Sequence, residues 1–287
     1  MNTALKRTLL STLVAPLALG AASAMAAPIA NWDYTVNSDF TSAAFTSKAG
    51  SNTGSQDTSD PNVISWGNST PGSTERSSVS ITDVDSAADG LPLLETNDVT
   101  APIGVNGGVF THNNTSINAS FDTLVSFDLT STLTLFPNPA SDGAIEALDS
   151  ITFNTKFTET PNGANPCADG SAGGASGCAD IFTIVSVEGL IPFTGAALPP
   201  QVFTQGGYEY SVFLDIAGLM SLSNDACDAA GAGSGCLGLL TPEGESTSFQ
   251  TSFRITAREV PEPGTLALLG LGLAGLGLSR RKKAAKA

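Results

Sequence analysis

The chain has 287 residues, 12 lysines and arginines against 27 aspartates and glutamates, a formal net charge of −15 and one histidine. So acidic a surface repels nucleic acid and anionic lipid, and a single histidine excludes a multi-histidine metal site within one chain. The length allows one large domain or two small ones with a sizeable core.

At the N-terminus Lys6 and Arg7 precede an apolar segment from Leu9 to Leu19, and small residues lead to Ala24-Met25-Ala26, an A-x-A site of the secretory kind. The expectation is a signal peptide over residues 1–26, cleaved after Ala26 and exported by Sec-type machinery. With the C-terminal tail, residues 260–287, also set aside, the cations left are Lys48, Arg76, Lys156, Arg254 and Arg258. Against 26 acids they leave the exported domain at about −21, so its natural small partners are cations.

Residues 27–259 read as one extracellular domain. Alternation of period two begins at Trp32-Tyr34-Val36, returns at Val79-Ile81 and is longest from Phe121 to Leu135. There Phe121, Val125, Phe127, Leu129, Leu133 and Leu135 share one parity, and Asp128, Thr130, Thr132 and Thr134 the other, which predicts a long half-buried strand, bent or broken near Thr130. Ile151-Phe153-Phe157, Tyr208-Tyr210-Val212-Leu214 and Phe249-Thr251-Phe253-Ile255 repeat the pattern. Ile181 to Val187 is apolar on both parities, as a central strand is. Residues 46–60, 161–177 and 226–235 read as loops, and residues 41–60 as the best candidate for a mobile segment. No long amphipathic helix and no repeat of fixed period interrupts this, so the fold class is all-β: an antiparallel β-sandwich, jelly-roll-like.

The cysteines fall as two local pairs, Cys167 with Cys178 and Cys227 with Cys236. In an exported chain an even count reads as disulfides, and the local connectivity closes a short loop in each case. A zinc site is the competing reading, although neither spacing has the usual C-x2-C knuckle. Nothing here identifies a reaction. No G-x-S-x-G elbow accompanies His112, disulfides remove a Cys-His pair, and the many carboxylates make a glycosidase pair unspecific. The G-x-G-x-x-G match at Gly270–Gly275 lies in an apolar tail without a preceding strand, and the N-x-[ST] sequons suit a chain rich in Ser, Thr and Asn.

The C-terminus is the most informative segment. Val260-Pro261-Glu262-Pro263 is followed by 14 uncharged residues from Thr265 to Leu278, then Arg280-Arg281-Lys282-Lys283. As a helix the run spans roughly 21 Å, short of the ~30 Å hydrocarbon core of a bilayer. The glycines in it lower its hydrophobicity and helix propensity, so it suits a passing stay in a membrane, with the basic cluster cytoplasmic.

These residues resemble the PEP-CTERM proteins, sorting substrates of exosortase in Gram-negative bacteria that make exopolysaccharide. The resemblance implies that a membrane-embedded cysteine protease or transpeptidase recognises Pro261, Glu262 and Pro263. It also implies that Arg280 and Arg281 close the signal, and that a transient inner-membrane intermediate precedes release or transfer to the cell surface. A plain single-span anchor is the alternative. Thr111-His112-Asn113-Asn114, followed by Ile117, resembles the motif that names the THxN family of PEP-CTERM proteins. Thr111, His112 and Asn114 are expected to form a buried hydrogen-bond cluster at a strand end, or alternatively to reach a sugar or a cation.

The expected function is that of an exported, exosortase-processed protein of the cell surface or extracellular matrix, non-enzymatic and associated with exopolysaccharide in biofilm or floc. The matrix role follows from the resemblance alone. The alternative is a carbohydrate- or Ca²⁺-binding module with Trp32, Trp66 or His112 at its site, and a third is an extracellular hydrolase. No cofactor is expected, with calcium left open at acid-rich stretches such as Asp83-Val84-Asp85 and Asp225 to Asp228, neither of which matches a D-x-D-x-D-G loop.

Overall fold

Alternating apolar residues give each strand one face to bury, and two such sheets bury their faces against each other. The computed structural model describes residues 27–70, 74–99, 104–173, 177–188 and 198–260. The expected signal peptide with Ala24 and Ala26, and the sorting residues Pro261, Glu262, Pro263, Arg280 and Arg281, lie outside the described residues.

In chain order the strands are β1 (Asn31–Phe45), β2 (Ser55–Asp60), β3 (Val63–Gly67), β4 (Arg76–Ile81), β5 (Val84–Asp85), β6 (Leu94–Glu95), β7 (Val105–Asn113) and β8 (Leu124–Pro137). There follow β9 (Glu146–Ala147), β10 (Ile151–Thr158), β11 (Asp180–Glu188), β12 (Gln201–Gln205), β13 (Tyr208–Ile216), β14 (Met220–Ser221), β15 (Leu237–Thr241) and β16 (Ser246–Glu259). Two short helices, α1 (Ser86–Asp89) and α2 (Asn224–Ala229), join them. One sheet runs β14-β15-β11-β10-β8-β1-β5, with β6 added on β1 and β9 on β8; the other runs β12-β13-β16-β7-β4-β3-β2. All of these pairings are antiparallel, and the chain passes repeatedly between the sheets, which makes an antiparallel sandwich.

The predicted long strand is β8, and it pairs with β1 over nearly its whole length. Its outer face carries a hydroxyl ladder in which Thr130 meets Thr152 at 2.9 Å and Thr132 meets Ser150 at 2.7 Å. The break in the ladder comes earlier than Thr130: register shifts lie at Phe40/Ser42 and Ala44/Phe45 of β1. Beside the second shift Val125 turns outward at 40% exposure while Leu124 and Phe127 are buried. Much of the segment read as mobile is strand. Residues 41–45 complete β1, and β2 forms a hairpin with β3 despite its polar residues, because the main chain rather than side-chain burial holds an edge strand. Likewise α2 (Asn224–Ala229) takes the first residues of the expected loop at 226–235 into helix, started by Ser223, whose hydroxyl accepts from Ala226 N.

Two clusters fill the space between the sheets. Trp32, Tyr34, Tyr210, Phe253 and Ile255 anchor one, and Ile64, Trp66, Phe110, Phe127, Phe157 and Phe182 the other. The first thus joins residues near both ends of the described chain. Between the sheets lies a cavity of about 130 Å³, bordered by Phe127, Leu129, Thr183 and Phe253 among others. Thr183 is fully buried and its hydroxyl has no hydrogen-bond partner. A buried, unpaired hydroxyl costs on the order of 1 kcal/mol or more, and valine has nearly its shape. Thr183→Val is therefore expected to raise the melting temperature by roughly 2 to 4 °C in a thermal melt followed by circular dichroism. A fall would mean that the hydroxyl has a partner in solution.

Candidate functional site

At one end of the sandwich, the residue after β10, the first residue of β11 and the turn after β15 bring three acids together. Glu159, Asp180 and Glu243 each place a carboxylate oxygen within 4.8 Å of the others. The two stems converge because β11 pairs with both β10 and β15, with Asp180 opposite Thr241. The Cys167–Cys178 disulfide closes the loop between β10 and β11, and Cys227–Cys236 ties α2 to the start of β15. Chain-entropy reasoning gives each closure about 3 kcal/mol. Gly177, at φ +82°, allows that loop to pass close to the turn: a Cβ there would lie 3.2 Å from Glu243 Cβ.

The hydrogen bonding of the trio is incomplete. Asp180 is fully buried; its Oδ1 accepts from Thr160 N at 2.8 Å, while Oδ2 has no partner. Glu159 Oε2 accepts from Trp66 Nε1 at 3.2 Å. Both carboxylate oxygens of Glu243 are shielded from solvent and unpartnered. So are Asn114 Oδ1 and Asn162 Oδ1. Among the described residues the salt bridge within 4 Å is Arg258 with Glu209, far along β16 and β13 from this end, so no such cation pairs with the trio.

Three like charges this close repel by about 3 kcal/mol per pair at an effective dielectric constant of ~20. Burial, then the Glu159 charge, pushes the Asp180 carboxyl up to about 9. Burial also raises Glu159 to about 7, against the lowering effect of the Trp66 hydrogen bond and with a further rise from Glu243. Left to itself, the Asp180 carboxyl holds its proton at neutral pH.

His112 is fully buried behind this cluster. It stacks on Trp66 with ring centroids 5.9 Å apart and meets the edges of Phe157 and Phe182 at 5.5 and 4.9 Å. Its Nδ1 lies 2.8 Å from Thr241 Oγ1, and that hydroxyl in turn donates to the Asp180 carbonyl at 3.4 Å. His112 Nδ1 and Thr241 Oγ1 share that hydrogen bond, and Nε2 is buried without a partner. Burial lowers its pKa to about 3, so the ring is neutral. Asn114 Nδ2 donates to the Thr241 carbonyl at 3.1 Å and its backbone N to the Glu245 carbonyl at 2.9 Å. His112 and Asn114, from the second sheet, thus hold the strand end and turn that carry Glu243. Thr111 faces the other way and meets Ser248 Oγ at 2.9 Å on the outer surface.

Other expected site residues have structural partners. Trp32 and Trp66 are fully buried, so neither is a platform for sugar. Asp83 Oδ1 accepts from Ser38 N, and Asp85 caps α1 through Ala87 N and Ala88 N. Asp225 and Asp228 lie exposed on α2. No local spacing announces Glu159, Asp180 and Glu243; the one available signal is an acid opening a strand otherwise apolar on both faces, at Asp180-Ile181-Phe182.

Residues 259–282 match the PEP-CTERM protein-sorting motif. No curated protein matches the chain.

Proposed function

We propose, starting from a PEP-CTERM sorting motif that marks this chain for exosortase-dependent export to the surface, that its β-sandwich is a non-enzymatic component of an exopolysaccharide matrix in biofilm or floc. The observation that carries this reading is where the Pro261-Glu262-Pro263 run falls within the matched motif. β16 ends at Glu259, the last described backbone contact is Val260 N with the Gly207 carbonyl, and Pro261 follows at once. Cutting at residues 261–263 removes the tail and leaves every strand among the described residues intact. A binding or scaffolding role is supported by the state of the ionisable groups. The one histidine is buried and neutral with a pKa of about 3, which makes it a poor general base. The clustered carboxylates face inward, with the Glu243 oxygens closed to solvent and so to a sugar.

Intact mass spectrometry of the protein from matrix and membrane fractions of its native cells tests this reading. A mature mass ending between Pro261 and Pro263, in protein that leaves the matrix fraction when the polysaccharide is digested, is the expected result. A mass that retains Arg280 to Ala287 in the membrane fraction would make the tail an ordinary anchor and overturn the matrix role.

A further inference from the structure

The acid cluster has the composition of an unfilled coordination shell. Its donors are all oxygen: three carboxylates from two loop stems and one turn, without imidazole or thiolate among them. Hard divalent cations take such donors, whereas zinc favours nitrogen and sulfur. Inward-facing carboxylates with little room for water suit Ca²⁺, which accepts six to eight protein oxygens in flexible geometry. Mg²⁺ keeps several of its waters.

Observations besides the acids point to a ligand. Asp180 is fully buried with Oδ2 unpartnered. Asn114, only 2% exposed, comes from the other sheet and spends its amide nitrogen on Thr241, the residue opposite Asp180, which leaves Oδ1 as an open buried acceptor beside them. Asn162 Oδ1, on a half-buried side chain whose Nδ2 donates to Ser116 Oγ, is a second unpartnered acceptor, on the β10–β11 loop that meets the Glu243 turn at Gly177. Buried carbonyl and carboxylate oxygens without donors are rare in folded proteins, and several in one loop cluster lack one common partner, a cation.

We propose that Glu159, Asp180 and Glu243 bind one Ca²⁺ at this end of the sandwich, with Asn114 Oδ1 and Asn162 Oδ1 as the further oxygens available to it. The ion pins the β10–β11 stems of one sheet to the turn that His112 and Asn114 of the other sheet hold in place. The site needs neither the sorting tail nor a polysaccharide, so its test is independent of the surface role.

The experiment uses the exported protein stripped with EGTA, then titrated with CaCl2, MgCl2 or TbCl3. Trp66, hydrogen-bonded to Glu159, is placed to sensitise Tb³⁺. Tryptophan-excited Tb³⁺ emission is expected to saturate at one ion per chain and to be displaced by Ca²⁺. Millimolar Ca²⁺ is expected to raise the melting temperature, with Mg²⁺ at the same concentration having little effect. Glu243→Gln relieves repulsion in the metal-free protein, so it is expected to fold and to weaken Ca²⁺ binding by about tenfold or more, whereas Asp228→Asn on the exposed face of α2 leaves binding unchanged. Glu159→Gln serves if Glu243→Gln does not fold. A stripped protein whose melting temperature ignores 5 mM Ca²⁺ and which sensitises no Tb³⁺ would overturn the site, as would a folded Glu243→Gln or Glu159→Gln variant that binds Ca²⁺ as tightly as the wild type.

Discussion

His112→Ala is expected to lower the melting temperature by roughly 6 to 12 °C, with or without any added glycan. The ring fills space among Trp66, Phe157 and Phe182, and emptying a site of that size costs about 3 kcal/mol. It also bonds across the sandwich to Thr241, and truncation takes that partner from a buried hydroxyl. For a domain of this length each kcal/mol corresponds to about 2 to 4 °C. Differential scanning calorimetry of purified wild type and variant decides it. A shift under about 2 °C would mean that the core closes over the gap, and His112 would then have to be explained by binding rather than by packing.

The second large effect is a dependence on pH in protein freed of divalent cations. Asp180 and Glu159 have folded pKa values raised to about 9 and about 7, above those of the unfolded chain. Between the unfolded and folded values the native state binds more protons, so the stability these groups contribute is present below about pH 4 and is lost as pH rises through 7 and 9. His112 has the opposite sign: its folded pKa, lowered to about 3, makes stability fall as pH drops below about 6.5. Two acids outweigh one histidine, so the EGTA-treated protein is expected to lose on the order of a few kcal/mol from pH 5 to pH 9, seen as a falling urea midpoint. Asp180→Asn removes the largest part of that slope. A midpoint that holds steady or rises across the range in wild type would mean that the three carboxylates do not share a dry site.

The strands that announce themselves in the sequence are those with the longest runs of period-two alternation: β8, β10, β13 and β16 each appear where that pattern sets them, although register shifts fall within the β8 and β16 pairings. β7 does not, because Gly107 and Gly108 interrupt its pattern opposite a register shift between Gln250 and Ser252, where Gln250 Nε2 donates to the Gly107 carbonyl. β2 is hidden for another reason, since its polar residues earn their place by main-chain pairing alone. The acid cluster was illegible because its three members meet only through the β10-β11-β15 pairing, and long-range pairing leaves no mark on local spacing. His112 and Asn114 were visible as unusual residues, but what they hold, Thr241 and the turn beyond it, lies more than a hundred residues downstream.

β16 has a directional consequence. It starts at Ser246, beside Asn113 and the acid-bearing turn, and ends at Glu259, beside Tyr208 and the exit toward Pro261. Fourteen extended residues cover roughly 45 Å. Whatever grips the protein at its C-terminal end therefore holds it by the foot, and the disulfide-closed loop and the Glu243 turn stand at the head, a few nanometres out. Neighbouring copies planted side by side would meet the medium crown first, through the same loops in every copy.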